Sequence, residues 1–537
     1  MITVKLKKPS TILLKNCTLL GESADEGSYA NILIKNGKVY KITEKIDGVK
    51  AHETFDLDGR TICSAFVDAH THLLHFSKRF LYPDLSNTSS KKEAFSIVKD
   101  HLKKEKRGHL FALNFDETEW KEGTYPEREE IDTISSTIPL IFIRVCGHLS
   151  VLNSPALAHF HSWLKKEQFS SKELQKLVQE KKGFVIERGV SLLSKAFPIS
   201  EKEKIEALKK AIHHFTALGI TEIHDIFSLD CLSFYTRFFK CVDLNIKNFP
   251  LKIKGYLILP IGKEGFHEKL ANNILEKAKK MEKEIRDVLR KKEMKDFFVL
   301  KGIKTFLDGS LGARTAALLK GYADVPSTKG RLLLSKESLL NLFEFSFKNE
   351  MEVMLHVIGD RALLLALETL EEFSYPLFVR LEHVEVLPDS LLERMVEIAK
   401  GKIKLKLSMM PNFAGNWSTL PNGMNIKRLG EDRYKICERF KSVYDAGLNL
   451  LFGSDCMPPD PIYGITSSVF NPNQEERLKL DEALSCYTTP LKEGVEANLV
   501  VLSQPLRLSI SEEELKKVKV VATIFKGNVV WSSLPLK

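Results

Sequence analysis

The rhythm of hydrophobic and polar positions changes near residue 62 and again near residue 491. Before the first change, short β-prone runs follow one another. Residues 11–14 and 31–34 are two of them, and Asn36-Gly37 after the second is a hairpin signal with 38–42 as its return strand. Near the other end, residues 497–502 and 520–531 have the same character. The pattern predicts a small β-sandwich domain built from both chain ends, 1–62 with 491–537. Between them, short apolar runs alternate with helix-like segments: 110–113, 139–143, 219–225, 302–306, 353–357, 379–383, 405–410 and 448–453. Strand-then-helix repetition predicts parallel strands covered by helices. The favoured α/β architecture for 63–490 is a (β/α)8 TIM-like barrel, because polar, reactive residues fall at the C-terminal ends of these runs. A doubly wound open sheet is the alternative, but no GxGxxG opens a helix here. Residues 155–217 and 263–297 read as helical insertions. In the second, Leu270, Ile274, Ala278, Met281 and Ile285 form the apolar stripe of an outer amphipathic helix.

Composition narrows the class. The chain has 537 residues and a net charge of +10 from 80 basic and 70 acidic side chains. The lysines are dispersed among glutamates, so the charge reads as a solvated surface and not a nucleic-acid face. No apolar run is long enough to span a membrane, and the first residues carry no apolar targeting core. Eight cysteines without CxxC spacing read as free thiols in a reducing cytoplasm.

The chemistry gathers at strand ends. His70 and His72, two apart at the end of an apolar run, would point the same way from a strand. Lys304 lies inside an apolar run, where a lysine is costly unless paired or modified. His356 and His383 end later runs, and Asp455 follows 452–454 directly. Singly, each has a bland reading: a hydrogen-bonded core histidine, a helix-capping aspartate, a lysine paired with a carboxylate such as Asp308. Together they place nitrogen ligands and a carboxylate at one end of separate strands, which suits Zn²⁺ or a similar divalent ion. A free ligand position and a nearby aspartate would provide a water activated by the metal and a proton shuttle.

These residues sit in longer motifs. They include 66–72 (FVDAHTH), 304–318 (KTFLDGSLGARTAAL), 356–362 (HVIGDRA), 380–383 (RLEH) and 452–455 (FGSD), with 114–120 and 147–154 as weaker echoes. The ordered set resembles the amidohydrolase superfamily, and within it the YtcJ-like branch of metal-dependent hydrolases, almost end to end. The resemblance implies that His70, His72, Lys304, His356, His383 and Asp455 are metal ligands, with Lys304 carboxylated where two ions are bridged. It implies that Asp455 shuttles the proton, and that His383 or His356 helps hold the developing oxyanion. His148, Asn153, Asp308, Ser310, Arg314, Asp360 and Arg361 fall in loops that shape the pocket. A paired polar network and direct substrate contact are both open for them, with Arg314 the natural partner for a substrate carboxylate. Two departures stand out: Cys146 replaces an aspartate before Gly147-His148, and the stretch from Cys486 to Leu499 is short, with Asn498 for aspartate.

The implied activity is metal-dependent hydrolysis of a C–N bond in a small molecule, an amide or an N-acyl or N-formyl amine. The same fold acting on a cyclic amide, carbamate, ester or lactone is the alternative, and a non-catalytic binding barrel is disfavoured by the complete ligand set. No nucleic acid or membrane partner is implied, and the resemblance extends to a homodimer.

Overall fold

The computed structural model describes residues 11–19, 29–45, 48–104, 108–117, 119–145, 149–170, 172–173, 177–186, 188–261, 265–418 and 423–534. Eight strands form its central sheet: β1 (Phe66–Thr71), β2 (Ile220–Phe227), β3 (Lys252–Ile258), β4 (Phe298–Phe306), β5 (Glu352–Val357), β6 (Leu377–His383), β7 (Ile403–Met409) and β8 (Asn449–Phe452). Every ladder in it is parallel. Helices cover it between strands, among them Leu229–Cys241, Glu268–Lys291, Lys336–Lys348, Asp360–Glu372 and Asp389–Lys400. Two open on serine caps: Ser228 accepts from the Cys231 N–H and Ser335 from the Ser338 N–H. This is the (β/α)8 barrel.

The barrel closes where β8 returns to β1. Beyond β8, the Asp455 N–H donates to the His70 carbonyl at 2.8 Å, and the Ser454 N–H donates to Asp68 Oδ1 at 2.9 Å. Asp68 also takes the His70 N–H and the Ser454 hydroxyl. Gly453 makes this seam possible. A Cβ there would stand 2.5 Å from His70 Cβ and 2.7 Å from His70 N, closer than any side chain tolerates.

Both chain ends do meet. Strands Thr11–Leu19, Tyr29–Lys35, Lys38–Thr43, Glu53–Asp56 and Thr61–Ser64 join Leu499–Leu502, Val520–Phe525 and Asn528–Ser532 in one eight-stranded sheet. Alternate residues Ile12, Leu14, Ile32, Ile34, Leu499, Val501, Ala522 and Ile524 enter one apolar cluster.

Two sequence expectations change. The runs at 110–113 and 139–143 are strands, but Leu110–Phe115 and Leu140–Arg144 pair with each other and with Leu149–Leu152 in a separate five-stranded sheet. They belong to a compact unit spanning 74–211, distinct from the unit of 1–73 and 212–537. The 155–217 stretch lies largely within that smaller unit and also contains short strands, Val178–Gln179 and Phe184–Ile186. The 263–297 stretch holds the helix that links β3 to β4, a regular part of the barrel repeat. Its inward line is Ala271, Leu275, Ala278, Ile285 and Leu289, while Leu270 is exposed. The helical repeat carried back from Ala278 falls on 275 and 271 and leaves 270 outside. Among the described residues no helix is long and apolar enough to cross a membrane, and every described cysteine is a free thiol.

Candidate metal centre

Register decides which side chains meet. Parallel pairing sets Lys304 of β4 beside Ile258 of β3, His356 of β5 beside Phe306 of β4, and His383 of β6 beside Val357 of β5. These three therefore leave neighbouring strands near their C-terminal ends. His70 and His72 leave the end of β1, and Asp455 follows β8 across the seam. The backbone at two of these ends is unusual. His383 and Val384 have φ of 72° and 48°, and Asp455 and Cys456 have 49° and 61°. A left-handed valine is costly, and such strain persists where surrounding structure holds a side chain in a required direction.

The result is a tight cluster. His70, His72 and Asp455 bring ligand atoms within 4.8 Å of one another. His72 Nε2 lies 3.3 Å and His70 Nε2 3.8 Å from the same Asp455 oxygen, Oδ1. The His383 ring centroid is 4.5 Å from that of His356 and 4.9 Å from that of His70.

Partners behind the rings assign their tautomers. His70 Nδ1 donates to Glu382 Oε2 at 2.6 Å, which turns a lone pair on Nε2 toward Asp455. His72 differs: Nδ1 donates to the Ile226 carbonyl at 3.1 Å, and Nε2 faces Asp455 at 3.3 Å; burial alone would lower the ring, but the Asp455 hydrogen bond and charge hold it above its ordinary value. His356 is reversed: Nε2 donates to the Gly309 carbonyl at 3.0 Å, leaving the lone pair on Nδ1. Its N–H is thus spent on the loop, an arrangement that suits a ligand better than a donor to an oxyanion. His383 Nδ1 is buried and meets no hydrogen-bond partner, and Phe413 stacks on its ring. Lys304 Nζ is likewise buried without a partner, 5.3 Å from the Phe306 ring centroid.

Electrostatics point the same way. Burial lowers His70 to about 4 and His356 to about 3, with Lys304 adding to the effect, and holds His383 well below its ordinary value. These imidazoles are neutral at pH 7. Burial lowers Lys304 to about 8, against the pull of Glu382 and Asp455. Burial alone would raise Asp455, but the His72 hydrogen bond and the charges of His72 and Lys304 outweigh it and keep the carboxyl below its usual range. Lone pairs on neutral imidazoles, an ionised carboxylate and two orphaned buried nitrogens suit a divalent cation.

A second layer carries residues that strand-end reasoning passed over. Glu382 is fully buried, and Arg380 Nε donates to its Oε1 at 2.5 Å. The charge of Arg380 and the His70 hydrogen bond overcome the cost of burial and hold the Glu382 carboxyl far below its ordinary value. Arg380 also donates to the Ala69 carbonyl at 2.6 Å and lies 2.5 Å from His224 Nδ1. Asp225 accepts from the Leu73 N–H at 2.6 Å and the Tyr235 hydroxyl at 2.7 Å, fixing the chain just beyond His72. The signal for Arg380 and Glu382 was present: two opposite charges within a five-residue apolar strand end demand partners.

The loop residues are placed differently. Asp308 accepts the N–H groups of Ala317, Ile358 and Gly359 at 2.8–3.0 Å, and His356 Nε2 is 3.9 Å away. Asp360 accepts the Leu319 N–H at 2.8 Å. Arg314 forks onto Asp324, at 3.2 and 2.7 Å, so the carboxylate it holds is one of the chain's own. Asn153 caps the helix Ser154–Lys166. His148 and Cys146 lie outside the described residues.

A family model described as "Amidohydrolase family" matches residues 53–531. The chain belongs to the amidohydrolase family. YtcJ of Bacillus subtilis (strain 168), named as an amidohydrolase, is 27% identical over 93% of this chain and 94% of its own. The N-substituted formamide deformylase of Arthrobacter pascens is 21% identical over 92% of this chain and 94% of its own. A solved structure described as an uncharacterized metal-dependent hydrolase from Pyrococcus horikoshii OT3 is 24% identical. It covers 94% of this amidohydrolase and 99% of its own chain with a TM-score of 0.69, which shows a shared fold. Membership supports hydrolase chemistry and a divalent metal.

Proposed function

We propose that this amidohydrolase cleaves the C–N bond of a small amide, an N-acyl or N-formyl amine. Zinc is the ion in this reading, held by His70, His72, Lys304, His356, His383 and Asp455. The observation that carries it is the convergence of His70 Nε2 and His72 Nε2 on one Asp455 oxygen, with His383 and His356 packed alongside. The relative named N-substituted formamide deformylase supports N-formyl amines as a substrate class.

When bound, the ion supplies Lewis acidity, easing deprotonation of water and polarising a carbonyl. The chain's own residues do the rest. Asp455, kept ionised by His72 and the neighbouring positive charges, takes the proton of the attacking water. The same carboxyl, once protonated, passes that proton to the departing nitrogen. Glu382 fixes the ring of His70, and the Ile226 carbonyl fixes that of His72, so both keep Nε2 inward.

The test has two parts. Protein purified without chelators is analysed for metal, and the metal-loaded enzyme is screened against N-formyl, N-acyl and cyclic amides. Absence of stoichiometric Zn, Mn, Fe or Co would remove the metal centre. Turnover confined to esters or lactones would remove the C–N assignment.

A further inference from the structure

Beyond the ligands, the chain from β6 meets the segment after the helix Glu431–Tyr434 in a short antiparallel ribbon. Val386 bridges Cys437, the Glu438 N–H donates to the Glu385 carbonyl at 2.9 Å, and the Leu387 N–H donates to the Ile436 carbonyl at 2.8 Å. This register sets Glu385 directly opposite Glu438. Two buried carboxyls set opposite one another cannot both ionise unless a cation joins them. Both are buried, with 6% and 2% of their surface accessible.

No cation among the described residues offsets them. The Glu385 carboxylate makes no hydrogen bond or ion pair among the described residues. The charged groups acting on it are all acidic: Glu438, Asp308 and the metal-centre residue Asp455. Glu438 Oε1 accepts from Asn425 Nδ2 at 3.1 Å, but its Oε2 is sealed and unpartnered. Asn425 is wholly buried. Its orientation is fixed by donation to Glu438 and to Ser418 Oγ at 3.0 Å, which leaves its Oδ1 a second sealed acceptor without a donor. A native core rarely leaves a buried carboxyl such as that of Glu385 facing only acids without a proton or a cation to offset it.

We propose that Glu385, backed by Glu438, is the subsite for an alkylammonium group carried by the substrate, seated beside the metal centre. The proposal rests on the hydrolase reading and narrows it to amides with a cationic tail. An organic cation fits better than a second metal ion. Among the described residues only His70, His72 and Asp455 bring three His, Cys, Asp or Glu ligand atoms within 4.8 Å. The surroundings of the pair are apolar: Tyr322 lies within electrostatic reach of Glu385 and Tyr434 of Glu438, in one cluster with Val386 and Cys437. Carboxylates set in aromatic and aliphatic walls recognise an ammonium on a hydrocarbon stem.

The test compares mono-N-formyl putrescine with its neutral isostere N-formylpentylamine and with the carboxylate-tailed counterpart, all on the metal-loaded enzyme. The ammonium substrate is expected to have the lowest KM. In Glu385→Gln its advantage in kcat/KM over the neutral isostere should fall by about tenfold or more, the worth of a charge-assisted hydrogen bond. Glu438→Gln should reduce the same ratio by less. Melting curves and metal content identify a variant that fails to fold, in which case Glu438→Gln carries the comparison. If no amide is turned over, the hydrolase reading fails, but calorimetry with putrescine still tests the subsite. Binding weakened in Glu385→Gln supports it. Equal ratios in parent and variant, no heat with putrescine, or Ca²⁺ binding there in its place, would overturn it.

Discussion

Replacing Glu382 by glutamine removes one charge and keeps the shape, so it isolates what the carboxylate does for His70. Two losses follow. Arg380, 4% exposed, loses the anion that Nε reaches at 2.5 Å and keeps the Ala69 carbonyl. Removing one partner of a buried pair costs about 3–5 kcal/mol, and the retained carbonyl and amide oxygen put this case near the lower figure. The second loss is local. An amide facing His70 Nδ1 can donate its own N–H, which moves the ring proton to Nε2, the atom aimed at the ion. Groups that orient a ligating histidine are worth about 10–100-fold in metal affinity, or ~1.4–2.7 kcal/mol. Chelator-competition titration measures the second loss and thermal melting of the metal-free protein the first. The metal-loaded variant should lose more stability than the metal-free one, because it also forgoes part of the binding energy. An unchanged metal dissociation constant would refute the orienting role, and unchanged melting of the metal-free protein would refute the buried-pair argument.

Asp455→Asn should retain metal while hydrolysis falls by about 10²–10⁴-fold in kcat, measured by amine release; full activity would remove Asp455 as the proton carrier. Gly453→Ala puts a methyl 2.5 Å from His70 Cβ and should cost about 1–3 kcal/mol with weakened metal binding, read by melting and metal content. Burial raises Glu438 from 4.5 to about 7. The folded protein therefore keeps a proton that the unfolded chain releases across this window. This contribution is complete below the lower value and is lost as pH rises through the upper one, by up to about 3–4 kcal/mol. Glu438→Gln should accordingly lose less stability than the parent between pH 5 and 8 in denaturant titrations; parallel profiles would count against the assignment. Intact mass at neutral pH tests Lys304 for an added carboxylate, whose presence favours two bridged ions and whose absence favours one.

The proposed ligand set was legible because its members lie in, at the end of or just after apolar runs, and a period of two then decides which face a strand residue leaves by. His70, His72, Lys304, His356 and His383 needed only that rule, and the structure brings them together with Asp455. Partners of strands were not legible. The runs at 110–113 and 139–143 have the same apolar character as barrel strands, and nothing local says that they pair in another sheet. Loop side chains were harder still. Asp308, Asp360 and Arg314 carry groups able to meet a substrate, and only coordinates show backbone N–H groups and Asp324 already holding them. Arg380 and Glu382 could have been found by applying to them the cost of burial that singled out Lys304.

The seam at Gly453 also bears on how the protein is made. Its bonds join residues as much as 386 apart in the chain, and the donors proposed for the ion come from both sides of it. With that donor set, no partly synthesised chain ending before β8 holds it whole, and tight metal uptake is expected to follow closure of the last strand. Metal capture then acts as a latch on the finished barrel, and the rate of metal uptake during refolding reports the arrival of β8.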